Sequence, residues 1–351
     1  PPGGRRPPRA ALDEARERVA TCLGAAPDEV CFTAGGTEAD NLAILGAWRT
    51  LRGQGKTAVV STPIEHKAVL NTVHQAAREG AEERFLKVDA AGTVDLDDAR
   101  ARITAGDTAV VSVMWVNNEI GVVQPVARLA QLAKAAGAVF HTDAVQAFGK
   151  FEVDARKIPF DYASISGHKL GAPKGIGAFF IRRGAPFEAM TFGGSQERGR
   201  RAGTENVAYA VGLARAMELA LAERASHGKT IAALRDRLEA ALVARIPDAV
   251  VHGRNAPRAP HILNISVPGT DSESLLMALD LQGVAASSGS ACQSGSITPS
   301  HVLAAMGVND ELASAAIRMS LGALSTEADV DRVAELFPAL IAKARGLSGV
   351  A

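Results

Sequence analysis

The sequence predicts an α/β protein with a mostly parallel central sheet flanked by helices, followed by a smaller α+β domain. Short, β-branched apolar runs alternate with helical stretches through the first part of the chain, as in strand–helix–strand units. These runs are almost continuously apolar, which is typical of strands buried on both faces of a sheet. Long helical stretches and segregated strands then follow. We therefore expect a large domain over residues 1–222 and a small domain over residues 223–351.

The first predicted helix covers residues 11–24, because Leu12, Ala15, Val19 and Leu23 share one face and Gly24 suits a C-terminal cap. The Pro/Arg/Gly-rich residues 1–10 before it predict no regular structure. The other predicted elements of the large domain are strand 28–33, helix 37–53, strand 57–61, helix 65–80, strand 84–88, helix 96–103, strand 108–116, helix 127–137 and strands 138–144, 161–166 and 177–183. From residue 205 the predicted elements are helix 205–225, which reaches the domain boundary, helix 229–246, strand 261–267, helix 272–281, a short helix, strand 316–322 and a last helix from residue 327.

Composition excludes several classes of protein. Lys plus Arg (38) equals Asp plus Glu (38), so nothing suggests a nucleic-acid-binding face. No apolar run is long enough to span a bilayer, and we expect no secretory leader. The three cysteines, Cys22, Cys31 and Cys292, are odd in number and lack CxxC spacing, which argues against a disulfide framework or a cysteine-rich zinc site. We expect a cytoplasmic protein.

Two groups of polar residues follow the early strands. Gly36 and Thr37, in TAGGTEADN, open a helix after a strand, where free N–H groups bind anions such as phosphate. An ordinary glycine turn with a threonine cap is the alternative. His66 also follows a strand and could stack on a flat ring and move a proton. The alternative for His66 is a satisfied surface histidine at a helix start.

Later strands are followed by residues suited to an aldehyde cofactor. Asp143, at the end of a buried strand, is costly unless paired, and a pyridinium nitrogen is a suitable partner. A helix-capping aspartate is the alternative. Gln146, three residues after Asp143, could reach a phenolic oxygen on the ring of such a cofactor. Lys169, in SISGHKLGAPKGIG, is placed to form a Schiff base, with Ser166 and His168 near a phosphate. A surface lysine is the alternative.

Asn118 follows another strand, so it is expected at the same sheet edge, where ligands bind in open α/β sheets. Cys292 lies in a loop of serines and glycines, which suits a mobile nucleophile. Arg318, in an otherwise apolar strand, suits a substrate carboxylate. Lysine, aspartate and cysteine in this combination indicate pyridoxal 5'-phosphate (PLP) chemistry that ends at a thiol.

Several long motifs resemble one family, the cysteine desulfurases, which belong to the class V aminotransferase-like enzymes of fold-type I, all dependent on PLP. The motifs are TAGGTEADNLAI, TPIEHKAVL, VNNEIGVVQ, HTDAVQAFGK, SGHKLGAPKGIGA, GGSQERGRRAGTENV, SSGSACQSGSITPSHVL and AIRMSLG. They cover nearly the whole chain in order. The segments MWVNNE and QERGRRAGTEN are most similar to those of the nitrogen-fixation type of cysteine desulfurase. Family members normally begin with a further segment, which this chain is expected to lack.

The resemblance implies which residues bind the cofactor. Lys169 would carry PLP, Asp143 would pair with its ring nitrogen and Gln146 with its phenolic oxygen. His66 would stack on the ring and take part in proton transfer, and Asn118 would lie beside the ring. The residues implied to hold phosphate are Gly36, Thr37, Ser166, His168 and, in the partner subunit of a homodimer, Thr204.

The resemblance also implies the reaction. Sulfur would be removed from L-cysteine, bound through Arg318 and Asn118, giving L-alanine and a persulfide on Cys292. The sulfur would pass to an acceptor or scaffold protein for iron–sulfur cluster assembly, which includes the nitrogenase cofactor, and Cys292 would be a transient iron–sulfur ligand. Two alternatives stay open: selenocysteine lyase or another class V reaction, and a truncated, non-catalytic scaffold that binds sulfur acceptors.

Overall fold

The structure, a computed structural model, describes residues 7–288 and 299–348. These residues form two compact units. The first unit contains the chain up to Lys87, Val94–Val116 and Gln124–Arg224, and the second contains Val88–Thr93, Asn117–Val123 and the chain from Ala225. Two short segments of the expected large domain therefore belong to the second unit. The division into a cofactor domain and a domain that carries the Cys292 loop stays a prediction.

The helices of the described residues are α1 (Pro7–Leu23), α2 (Gly36–Leu51), α3 (Lys67–Arg78), α4 (Leu96–Arg102), α5 (Val126–Ala135), α6 (Val207–Arg245), α7 (Ser272–Asp280), α8 (His301–Ala305), α9 (Asp310–Ser314) and α10 (Glu327–Ser348). The strands are β1 (Val30–Thr33), β2 (Ala58–Ser61), β3 (Glu82–Phe85), β4 (Thr108–Ser112), β5 (Val139–Asp143), β6 (Tyr162–Ser166), β7 (Gly177–Ile181), β8 (Val250–Val251), β9 (Ile262–Ser266), β10 (Ser287–Ser288) and β11 (Ala316–Ser320). No helix among these residues is long and apolar enough to cross a membrane.

The first unit is built on a seven-stranded sheet in the order β1-β7-β6-β5-β4-β2-β3. Strands β3, β2, β4, β5 and β6 run parallel, and β7 is antiparallel to both of its neighbours, β6 and β1. Every residue of β2, β4 and β6 is buried, as the continuous apolar runs predict. The predicted α/β class with a mostly parallel sheet is confirmed.

The core of the first unit lies between this sheet and α2. The indole of Trp48 is 1% exposed and shares a buried cluster with Val59 of β2, Val110 of β4 and Phe179 of β7. Large side chains in such a cluster cost about 3–5 kcal/mol when truncated to alanine. The sheet edge that α2 faces at its start is therefore held rigidly, which matters for the side chains placed there.

The second unit has a four-stranded antiparallel sheet in the order β10-β11-β9-β8. One face packs against α7, α10 and the later turns of α6, through a buried cluster that includes Leu238, Leu263, Leu279, Ile317 and Phe337. The unit buries an apolar core of its own, which matches the predicted α+β arrangement of segregated helices and strands.

Several elements differ from the sequence prediction: β8 and β10 were not expected, and α8 and α9 stand where one short helix was expected. Helix α1 begins at Pro7 rather than at residue 11, so residues 7–10, expected to lack regular structure, are helical, because proline fits the first turn of a helix, where its missing N–H is not needed. Strand β4 ends at Ser112, although the apolar run continues to residue 116. Helix α6 is continuous over 39 residues, where two helices were expected.

Candidate cofactor site

The carboxyl ends of the parallel strands lie at one edge of the first unit's sheet. Because β2, β4, β5 and β6 are parallel, and β7 is antiparallel to both β1 and β6, the ends of β1, β2, β5 and β6 and the start of β7 face the same edge. The polar residues that follow these strands are therefore near one another. We describe this edge as the candidate cofactor site.

Glycines bring the backbone close together at this edge. A Cβ added to Gly177, at the start of β7, would lie 2.5 Å from the carbonyl oxygen of Ile165 and 2.7 Å from Cα of Gly35. A Cβ added to Gly36 would lie 2.7 Å from Cγ2 of Val145. Only glycine fits these approaches. They leave the first turn of α2, with its free N–H groups, next to Ser166.

Ser166 and His168 form the other side of this helix start. Oγ of Ser166, the last residue of β6, lies 2.9 Å from Nδ1 of His168. Burial, followed by the charges of Lys169 and Lys174, lowers the pKa of His168. An anion held here would counter these positive charges. A hydroxyl, an imidazole and helix N–H groups together are a suitable donor set for a phosphate.

Asp143 ends β5 and is only 6% exposed. Its Oδ1 accepts a hydrogen bond of 2.9 Å from the Val145 N–H. Burial raises the pKa of Asp143, while this N–H and the positive charges of His66 and Lys169 oppose the rise. A buried carboxylate that is kept anionic by its surroundings is suited to hold a protonated ring nitrogen.

His66 caps the first turn of α3. Its Nδ1 accepts a hydrogen bond of 3.1 Å from the Ala68 N–H, so the neutral ring carries its proton on Nε2. Lys169 lies in a 3-10 turn, Gly167–Leu170, that begins directly after β6, and its side chain is exposed. The structure thus brings His66, Asp143 and Lys169 together, with an amine and an imidazole donor beside a buried carboxylate.

Three further predicted residues lie in the first unit with less definite surroundings. Gln146 is half-buried just after Asp143, and Thr37 is exposed in the first turn of α2. Thr204 is exposed in the loop that follows a 3-10 turn, Gln196–Gly199. The exposure of Thr204 is compatible with a contact to a second copy of the chain.

The loop before Thr204 is anchored by a buried ion pair. Glu197, 6% exposed, receives hydrogen bonds of 2.6 and 2.8 Å from the guanidinium of Arg16 and one of 3.1 Å from the Phe32 N–H. Glu197 and Arg198 adopt left-handed backbone conformations, with φ of 48° and 58°, which are strained for residues other than glycine. The Arg16–Glu197 pair therefore fixes a loop that would not hold this shape alone.

Asn118 and Arg318 belong to the second unit, and the structure brings these two predicted residues together. Nη1 of Arg318 donates a hydrogen bond of 2.9 Å to the carbonyl oxygen of Asn118, and Nη2 donates one of 2.8 Å to Oγ of Ser287. Cys292, the predicted nucleophile and iron–sulfur ligand, lies outside the described residues. Among residues 7–288 and 299–348, no cluster of three potential metal ligands is found.

The residues of the first unit fit PLP. The glycine approaches and Ser166–His168 suit its phosphate, the buried Asp143 suits its ring nitrogen, and the exposed Lys169 suits its aldehyde. Sequence reasoning missed the buried polar residues behind this edge, which are Asp40, Glu65, His141 and Ser164. The available signal was the position of Asp40, four residues after Gly36 and so on the same helix face.

Comparison with known proteins places the chain among enzymes of one kind. Residues 8–333 match the family model described as Aminotransferase class-V. The chain is 46% identical over 338 residues to a cysteine desulfurase of Nostoc sp., covering 96% of this chain and 84% of that protein. It is 47% identical over 340 residues to a cysteine desulfurase of Gluconacetobacter diazotrophicus, with the same coverage of both chains.

The fold is shared with solved structures as well. A structure titled as a NifS-like protein superimposes with a TM-score of 0.90 at 34% sequence identity, covering 98% of this chain and 91% of that one. The match extends over both units.

Proposed function

The chain belongs to the aminotransferase class-V family, and from this membership we propose that it is a PLP-dependent cysteine desulfurase that converts L-cysteine to L-alanine and leaves the sulfur as a persulfide on Cys292. Relatives at 46–47% identity carry that name. The observation that carries the proposal is the buried Asp143 with Lys169 and His66 beside it.

In this proposal each side chain at the sheet edge holds one part of the cofactor. Bound PLP supplies an aldehyde that condenses with amines and a cationic ring that accepts electron density. Asp143 would hold the ring nitrogen, His66 would contact the ring and Gln146 would bond the phenolic oxygen. The amine of Lys169 would hold the aldehyde until the substrate amine displaces it. The phosphate is held by Gly36, Thr37, Ser166 and His168.

The remaining steps belong to residues that contact the substrate. Arg318 and Asn118, which touch each other in the second unit, bind the carboxylate of L-cysteine. Nζ of Lys169 takes the α-proton, and His66 moves protons through Nε2. The thiolate of Cys292 attacks the substrate sulfur: the C–S bond breaks, an S–S bond forms, and the bonding electrons remain on the substrate carbons. Cβ then gains a proton and Cα regains the proton held by Lys169, which gives alanine.

The cofactor and thiol roles can be tested together by measuring alanine and persulfide formed from cysteine with PLP. Lys169→Ala should lose the visible absorption of bound PLP, whereas Lys174→Ala, which removes a charge in the same exposed loop, should keep it. Cys292→Ala should keep the colour and lose the persulfide, whereas Cys22→Ala should keep both. A colourless chain that PLP cannot reconstitute would refute the proposal, as would a Cys292→Ala variant with the wild-type rate.

We further propose a cytoplasmic homodimer in which Thr204 reaches the phosphate of the partner subunit. The exposure of Thr204, in a loop fixed by the Arg16–Glu197 pair, supports this. A mixture of Lys169→Ala and Thr204→Val chains should regain activity that neither has alone, because one site of each mixed dimer has both residues. No gain on mixing, with mixed dimers present, would contradict the shared site.

We also propose that the persulfide sulfur passes to a scaffold protein for iron–sulfur cluster assembly, with Cys292 as a transient cluster ligand and the nitrogenase cofactor as one destination. The resemblance of MWVNNE and QERGRRAGTEN to the nitrogen-fixation type supports this. Sulfur-35 from labelled cysteine should move to an added scaffold protein in the presence of iron. Label that stays on Cys292 would contradict the transfer.

A further inference from the structure

Three acidic side chains are buried in the first unit at the candidate cofactor site, and the proposed mechanism uses only one of them. Asp40 is 1% exposed, Glu65 is fully buried and Asp143 is 6% exposed. They come from different elements: Asp40 from α2, Glu65 from the turn after β2, and Asp143 from the end of β5. Three carboxylates buried together repel one another, so the charge must be distributed unequally.

Asp40 lies in a polar cluster without a cation. Its Oδ1 makes no hydrogen bond among the described residues and lies 3.5 Å from Nε2 of His141. Nε2 of His141 is 3.0 Å from Oγ of Ser164, and Nδ1 is 2.8 Å from Oγ of Ser112. The Ser164 hydroxyl also interacts with the Asp40 carboxyl. All four side chains are buried.

This cluster lies directly under Asp143. His141 precedes Asp143 by two residues on β5, so their side chains point to the same face of the sheet. Ser164 of β6 is the residue paired with Asp143 across the two strands. Any charge on Asp40 would therefore act on Asp143 through a short, buried path.

The electrostatic surroundings of Asp143 and Asp40 favour opposite protonation states. Asp143 receives the Val145 N–H and the positive charges of His66 and Lys169, which all favour its anion. The pKa of Asp40 is raised well above its usual value by burial first, and then by the charges of Asp143 and Glu65, while only the Ser164 hydroxyl opposes the rise.

His141, the histidine beside Asp40, does not offset this rise in the pKa of Asp40. Burial lowers the pKa of His141 to about 3, so its ring is neutral at pH 7 and gives Asp40 no counter-charge. The proton that the pair of aspartates must keep therefore resides on Asp40.

We propose that Asp40 is a positioning residue that stays protonated at neutral pH and leaves Asp143 as the anion of the pair. The Asp40 hydroxyl donates toward Oγ of Ser164, the Ser164 hydroxyl donates to Nε2 of His141, and the His141 N–H at Nδ1 donates to Oγ of Ser112. The cluster stays neutral. That a neutral Asp40 helps Asp143 to hold the ring nitrogen rests on the proposed function. The location of the proton on Asp40 does not depend on it.

The proton can be located by carbon-13 NMR of the full chain labelled at aspartate carboxyls. At pH 7 the unmodified chain should show a protonated aspartate signal. Asp40→Asn should remove that signal, while Asp143→Asn and the exposed control Asp97→Asn should keep it. Absence of a protonated signal in the unmodified chain, or its loss in Asp143→Asn, would overturn the proposal even if Asp40→Asn fails to fold.

The role toward the cofactor needs a second readout, the dissociation constant of PLP. Asp40→Asn keeps a neutral donor, so this constant should stay within about threefold of wild type, whereas Asp40→Leu should weaken binding because the cluster loses its donor. Loss of the charged contact in Asp143→Asn should weaken binding by about ten- to hundredfold. Equal losses for Asp40→Asn and Asp143→Asn would show an anionic Asp40. A chain that binds no PLP would refute the proposed function, and the NMR result would still decide the location of the proton.

Discussion

Glu65 is a buried acid whose ionisation opposes folding. It is fully buried, with Oε1 accepting from Oγ1 of Thr62 at 2.7 Å and both oxygens accepting from the Met114 N–H at 3.0 and 3.1 Å. Burial outweighs these hydrogen bonds and raises the pKa of Glu65 from 4.5 to about 8. We therefore expect Glu65→Gln, which has the same shape and no charge, to change how stability depends on pH.

Proton linkage gives the sign and the size of this change in the free energy of unfolding. Above pH 4.5 the unfolded chain releases this proton freely, while the folded chain keeps it up to about pH 8. The free energy of unfolding therefore falls as pH rises through this window. The difference of 8 minus 4.5, or 3.5 units, at about 1.4 kcal/mol per unit, gives a loss of about 5 kcal/mol in wild type. Glu65→Gln lacks this loss.

Urea unfolding at pH 5, 6, 7 and 8, followed by tryptophan fluorescence, measures the effect, because Trp48 and Trp115 both lie in the first unit. The stability of Glu65→Gln relative to wild type should rise by about 1.4 kcal/mol per pH unit. The control is Glu79→Gln, since Arg49 lowers the pKa of Glu79 to about 2. Glu79 contributes stability above its unfolded pKa and loses it only as pH falls, so this control should run parallel to wild type from pH 5 to 8. Parallel curves for Glu65→Gln would refute the reasoning.

Two further predictions concern packing in the first unit. Gly177→Ala should cost about 1–3 kcal/mol of unfolding free energy in urea, because its Cβ would lie 2.5 Å from a carbonyl oxygen, whereas Gly53→Ala, with open space around it, should change stability by less than about 1 kcal/mol; equal effects would contradict the close approach. Arg16→Met should cost about 3–5 kcal/mol by leaving the Glu197 carboxylate buried without its partner. Adding Glu197→Gln to Arg16→Met should recover part of that loss, and a purely additive double variant would contradict a coupled pair.

The sequence was sufficient to predict the sheet and much of its edge. Strands β2, β4 and β6 are apolar because both of their faces are covered, so parallel topology could be predicted, and with it a common edge for His66, Asp143 and Lys169. Part of the alternative for His66 is observed, since the half-buried ring caps α3, while its role toward a cofactor stays a prediction. The two interpretations are compatible, because Nδ1 accepts the hydrogen bond that caps α3, while the cofactor role uses Nε2.

Other features depend on tertiary packing that no local pattern encodes. Asp40 and His141 occupy polar positions in ordinary motifs, and only the assembled sheet shows that both are buried and adjacent. Asn118 follows the apolar run of β4, yet its segment belongs to the second unit. The left-handed conformation of Glu197 depends on an arginine far away in the chain, so short-range propensity could not predict it.

The distance along the chain between Arg16 and Glu197 also sets a sequence of events during synthesis. The two residues are 181 positions apart, and ribosomes add about 5–20 residues per second. The nascent arginine thus waits roughly ten to forty seconds for its carboxylate. Helix α1 contacts β1, which follows it closely in the chain, so these two elements can meet long before the loop that carries Glu197 is made. This loop should therefore be among the last parts of the first unit to take its final shape.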